Sequence, residues 1–131
     1  MRRVPSLSLS ARAPDPRTTK ATGDRAEAIA AAELERRGFA IVGRNVRVGR
    51  LELDVIAQRG SLVVFCEVRA RVNSGIAAPY ESIDRRKIER VRRAALGWLA
   101  AREGPRVDVR FDVASIVLGP PLRMDYFESA F

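Results

Sequence analysis

Two rhythms of apolar and polar positions run through this chain. Over "GDRAEAIAAAELERRGF" the apolar residues Ala26, Ile29, Ala30 and Leu34 recur at helical spacing. Asp24 suits the N-cap or first turn and Gly38 suits the stop, so a helix is predicted over 24–37. "FAIVGRNV" (39–46), "LELDVIAQ" (51–58) and "SLVVFCEVRA" (61–70) read as strands, with Arg59–Gly60 as a tight hairpin turn between the last two. The stretch 72–80 is a loop by its Asn, Ser, Gly and Pro content. A long helix follows over 81–103, with the stripe Ile88, Val91, Ala95, Trp98 and Leu99 and with arginines crowding its other faces. Gly104–Pro105 ends it, 106–119 alternates as a final strand, and the closing "RMDYFESAF" carries aromatics able to pack back on the core. The order α-β-β-β-α-β predicts an α/β fold, a mixed central sheet flanked by helices. No internal repeat is visible. Residues 23–131 form the predicted domain; 1–22, rich in Pro, Ser, Thr and Arg, read as a disordered basic tail without the apolar region of a signal peptide.

The hairpin brings acids together. With a turn at 59–60, Asp54 is expected opposite Phe65 and Glu52 opposite Glu67. Glu52, Asp54, Glu67 and Arg69 then share one face of the sheet, and Leu51, Leu53, Val55, Val64, Cys66, Val68 and Ala70 the other. A bulge would change that parity. Carboxylates this close raise one another's pKa unless a positive charge sits among them, and a divalent cation held by oxygen ligands answers the problem. Asp54 and Glu67 suffice for Mg²⁺, with the Val68 carbonyl as a third ligand. Such an ion can activate water and neutralise phosphoryl charge. The competing reading is a cross-strand charge ladder in which Glu52 and Glu67 pair with Arg50, Arg69 and Arg71.

Composition narrows the chemistry. The 131 residues carry net charge +8, which favours an anionic partner, and nucleic acid is the commonest. Lys20 and Lys87 are the only lysines among 24 basic residues, and part of the arginine excess can reflect genome-wide bias. There is no histidine, which excludes His-based acid–base catalysis and His-ligated metal. The single cysteine, Cys66, cannot form an internal disulfide and reads as a small core residue; a reducing cytoplasm is expected. No apolar run approaches the ~20 residues of a membrane span.

"GDRAEAIAAAELERRGFAIVGRNVR", "LELDVIA", "VVFCEVRAR", "PYESIDRRKIERVRRAALGWL" and "RFDVASI" together resemble the YraN family of bacterial predicted endonucleases, in order from about Gly23 to Phe131. The resemblance implies a restriction-endonuclease-like fold, similar to archaeal Holliday-junction resolvases, and a PD-(D/E)xK site. It matches Glu27 to the helix glutamate, Asp54 to the metal-binding aspartate, Glu67 to the glutamate of Glu-x-Lys, Glu52 to the acid two places before the aspartate and Arg71 to the arginine after the signature. It implies Mg²⁺ or Mn²⁺ held by Glu27, Asp54 and Glu67, hydrolysis of DNA (branched or junction DNA by the likeness to resolvases) and, by the same likeness, a homodimer. Leu51 stands in the place of a family glycine. Arg69 stands where the family has its lysine; it can stabilise a charged transition state but, staying protonated, cannot act as a base. Lys87 also matches a family lysine and would substitute if its helix turned it toward Asp54 and Glu67.

The leading expectation is a metal-dependent DNA endonuclease in which Glu27, Asp54, Glu67 and Arg69 are catalytic. Arg47, Arg71, Arg85, Arg86, Lys87 and Arg90 would contact nucleic acid. The alternatives are a degenerate nuclease that only binds DNA, and a small basic protein-interaction domain docking through the 81–103 helix. Salt dependence separates the last, because phosphate binding weakens steeply with added salt.

Overall fold

The computed structural model describes residues 16–72 and 84–131. The elements are α1 (Pro16–Arg36), β1 (Ala40–Val48), β2 (Leu51–Arg59), β3 (Leu62–Arg71), α2 (Arg85–Ala101), β4 (Asp108–Val117) and β5 (Arg123–Phe127). The five strands form one sheet in the order β1-β2-β3-β4-β5. Only β3 and β4 are parallel; the other neighbours run antiparallel. A parallel pair needs a long crossover, and α2 lies within it. Among the described residues no helix is long and apolar enough to cross a membrane.

The sheet is buried on both faces. On one, Ala26, Ala30 and Leu34 of α1 pack with Val55, Ala57, Val64, Cys66, Ile116 and Tyr126. On the other, Val91, Ala94 and Ala95 of α2 pack with Leu53, Ile56, Val63 and Phe65. Phe65 holds Trp98 edge-on at 5.7 Å and stacks with Phe111 at 5.6 Å between centroids. Gly97 lets α2 approach β1 closely, since a Cβ there would stand 2.6 Å from Val48 Cγ1. Cys66 is buried, and burial pushes its thiol pKa far up, as for a core residue.

Several boundaries differ from expectation. α1 begins at Pro16, not at 24, so the second part of the expected tail is helical. Proline suits a first helical position because its missing N–H has no partner there, and Lys20 pairs with Asp24 one turn on at 3.5 Å. The other tail residues, and the expected loop from 73 on, lie outside the described residues. α2 starts at Arg85, where the Asp84 side chain accepts the Lys87 N–H. The C-terminal segment supplies a fifth strand that the sequence does not announce.

That segment is tied down through Asp112, which is fully buried. Its carboxylate accepts two hydrogen bonds from Arg110, both at 2.9 Å, one from the Tyr126 hydroxyl at 2.6 Å and one from the Ser129 N–H at 3.0 Å. Arg37 links the end of α1 to the same region, donating to Glu33 and to Glu128, each at 2.9 Å.

Candidate functional site: carboxylates where β2 and β3 part

The hairpin turn is Gly60–Ser61, with Arg59 opposite Leu62. Gly60 has φ +57°, which glycine adopts without strain. This register differs by two from the expected one. Phe65 faces Ile56 and Cys66 faces Val55, so Asp54 is not opposite Phe65. A shift of two preserves faces, so it leaves Glu67 and Arg69 together.

The expected apolar face is overturned at a different place. Leu51 and Leu53 pack on the α2 side, whereas Val55 and Ala57 pack on the α1 side. Residues two apart on a regular strand share a face, so β2 rolls over at Asp54. Its partner β1 is irregular at the same level: Asn45, between Arg44 (opposite Val55) and Val46 (opposite Leu53), has φ +51°. The β2–β3 ladder ends at Val55–Cys66. Beyond it Asp54 Oδ2 accepts the Val68 N–H at 2.9 Å, so a side chain takes over where backbone pairing stops.

Asp54 thus lies between two acids. Glu27, on α1, is 9% exposed, and its Oε1 is buried without a hydrogen-bond partner. Burial raises its pKa, a hydrogen bond with Asn45 opposes the rise, and the Asp54 charge adds to it. Glu67, on β3, is pushed up to about 7, first by burial and then by Asp54, against the pull of Lys87. Lys87 Nζ reaches Glu67 Oε2 at 3.1 Å from the first turn of α2. The helix therefore turns Lys87 toward the acids. Asn45 is the neighbour that sequence reasoning missed; its signal was a residue tolerant of positive φ inside an otherwise strand-like run.

The other candidates stand further out. Arg47 is exposed on β1 with Glu52, also exposed, as its cross-strand partner. Arg69 and Arg71 are half-buried on β3. Arg85, Arg86 and Arg90 are exposed at the start of α2. Glu67 pairs with Lys87, a residue of the other layer.

As to a metal, no three acidic or cysteine side chains among the described residues already close around a point able to hold an ion. The donor set nevertheless fits a hydrated cation. Mg²⁺ keeps several waters and takes one or two carboxylates, which Asp54 and Glu67 supply, and the unpartnered Glu27 Oε1 can accept from a bound water.

The fold is an α/β domain, a five-stranded mixed sheet with a helix packed on each face. The profile described as "Uncharacterised protein family UPF0102" matches residues 26–116. A UPF0102 protein of Nocardia farcinica is 39% identical over 114 residues, 86% of this chain and 90% of that relative. One of Nitratidesulfovibrio vulgaris is 38% identical over 112 residues, 85% and 84% of the two chains. UPF0102 protein CT2262 of Chlorobaculum tepidum is 41% identical over 95 residues, 72% and 74% of the two. The chain belongs to the UPF0102 family, which is the YraN family of the resemblance above.

Proposed function

We propose that this protein is a metal-dependent DNA endonuclease. The observation that carries the reading is the buried acid cluster, above all Glu27, whose Oε1 is closed to solvent and has no partner. A fold does not keep such an atom for stability, because an unsatisfied buried acceptor is unfavourable. Glu27, Asp54 and Glu67 would hold Mg²⁺ or Mn²⁺, which when bound supplies an activated water and neutralises phosphoryl charge. The chain's own groups do the rest. The Val68 N–H fixes Asp54 in place. The exposed arginines at the start of α2, with Arg47, supply positive charge for the DNA backbone on a chain of net charge +8. In the overall reaction the oxygen of one water bonds to phosphorus, one P–O ester bond breaks, and the displaced proton ends on the leaving oxygen.

The test is cleavage of linear, single-stranded, flapped and four-way-junction DNA with Mn²⁺ or Mg²⁺, by wild type, Asp54→Asn and Asp54→Ala. Asparagine keeps an acceptor for the Val68 N–H, so its loss of cleavage reports the charge and not the fold. Wild-type protein that binds DNA and cuts none of these substrates would refute the proposal.

A second reading, a DNA-binding module that no longer hydrolyses, is favoured by one feature: arginine at 69 in the lysine's place. Arg69→Lys should raise cleavage by a weakened nuclease and do nothing for a binding module.

A further inference from the structure

We infer that Lys87, reaching over from α2, is the cation that contacts the scissile phosphate at this site, in place of Arg69 on β3; the inference rests on the nuclease reading above. Lys87 Nζ lies 3.1 Å from Glu67 Oε2. The two side chains are unequally placed: that of Glu67 is 8% exposed and that of Lys87 is 39% exposed. This is therefore not an ordinary surface ion pair. The ammonium touches a buried carboxylate with one side and meets solvent with the other, the side from which a phosphate arrives. An ammonium has three donors. With one directed at Glu67, two remain for a phosphoryl oxygen and a water.

The support behind Lys87 is local and stiff. Asp84 accepts the Lys87 N–H at 2.9 Å, which pins the backbone at the residue that reaches the site. One turn on, Val91 is buried, with Ala94 and Ala95 behind it, so the helix cannot slide away from the sheet without opening the core. Arg69 has the position along β3 that the family motif gives its lysine, but a guanidinium is a broad planar fork, not a compact charge. In the reaction Lys87 remains protonated throughout. It donates to an oxygen as negative charge grows there, and no proton leaves it.

The test compares wild type, Lys87→Ala and Arg69→Ala on a DNA that wild type cuts. Lys87→Ala is expected to lower kcat by ~100-fold or more, the usual effect of removing one transition-state donor. kcat should fall by more than KM rises, because the contact strengthens as negative charge grows on the phosphoryl oxygen. Arg69→Ala should lose less. Mn²⁺ binding to the DNA-free protein, followed by calorimetry, gives a readout independent of turnover. Removing a positive charge from the side of a ligand should tighten Mn²⁺ by about tenfold. A Lys87→Ala protein with wild-type kcat, a greater loss in Arg69→Ala, or unchanged Mn²⁺ affinity would each overturn the inference. A wild type that cuts nothing overturns the nuclease reading itself, which is a different result from a Lys87→Ala protein that cuts as well as wild type.

Discussion

Replacing Glu67 by glutamine keeps the shape of the side chain and removes its charge. Glu67 is 7% exposed, and burial and Asp54 push its carboxyl from 4.5 up to about 7 despite Lys87. Between those values the folded protein holds a proton that the unfolded chain has released. Stability must therefore fall as pH rises across that window. At ~1.4 kcal/mol for each tenfold change in proton affinity, the ionised side chain costs up to about 3 kcal/mol above pH 7. Glutamine escapes that cost, and the Lys87 it leaves behind still meets solvent. Urea unfolding in EDTA should show Glu67→Gln more stable than wild type at pH 8.5, by about 1–3 kcal/mol. At pH 5 the two should nearly coincide. Saturating Mn²⁺ should shrink that advantage at pH 8.5, since on the function proposed above the variant lacks a ligand and binding at 100 times Kd stabilises the wild type by ~2.7 kcal/mol. A variant less stable than wild type at pH 8.5, or a difference independent of pH, would refute the account of Glu67 as an acid held ionised against its environment.

Three further outcomes are expected. Asp112→Ala should destabilise by about 3–5 kcal/mol in the same assay, because it strands Arg110 and the Tyr126 hydroxyl without their shared acceptor. Gly97→Ala should lose ~1–3 kcal/mol to overpacking against Val48, only partly offset by a helix-propensity gain of ~1 kcal/mol, and Val48→Ala in the same chain should recover much of the loss. Arg86, Arg90 and Arg93 are exposed one turn apart along α2; changing all of them to alanine should flatten the plot of log K against log salt for DNA binding by ~0.9 for each phosphate that the variant no longer neutralises.

What the sequence disclosed depended on periodicity. α1, α2 and the central strands were legible because each sustains one rhythm over several turns or pairs. β5 was not: it is five residues long, and its alternation places Arg123 and Asp125 among apolar neighbours. Both are buried, with Arg123 Nε 3.8 Å from Asp125 Oδ2, and local sequence gives no hint of such a pairing. The hairpin register missed by two because Arg59–Gly60 and Gly60–Ser61 are equally good turns to the eye; the strand ends decide between them. "LELD" alternates cleanly, so nothing local reveals the roll at Asp54. The one trace is the apolar run Val55–Ile56–Ala57, which has to feed both faces. Lys87 could be named from sequence but not placed, because its approach to Glu67 depends on how α2 settles on the sheet.

Among the buried acids of the described residues, the contrast between Asp112 and the group around Asp54 bears on which one acts. Asp112 has four donors on its two oxygens, from Arg110 twice, Tyr126 and Ser129, and they tie β4 to β5 and the C-terminal turn. It is saturated and closed, as a structural acid should be. The other centre is left incomplete. Asp54 accepts one backbone N–H, Glu67 has one half-exposed lysine, and Glu27 has an oxygen with nothing. The roll in β2 explains how these residues meet: it ends backbone pairing with β3 and leaves Asp54 between Glu27, carried on one helical layer, and Glu67, which is held by the other. A sheet whose only task was packing would gain by continuing its ladder and filling that point with apolar side chains. The same chain satisfies one buried acid completely and leaves another group of acids short of partners, so the shortage is not a general failing of its design. On the function proposed above, a cation and a phosphate would complete that arrangement.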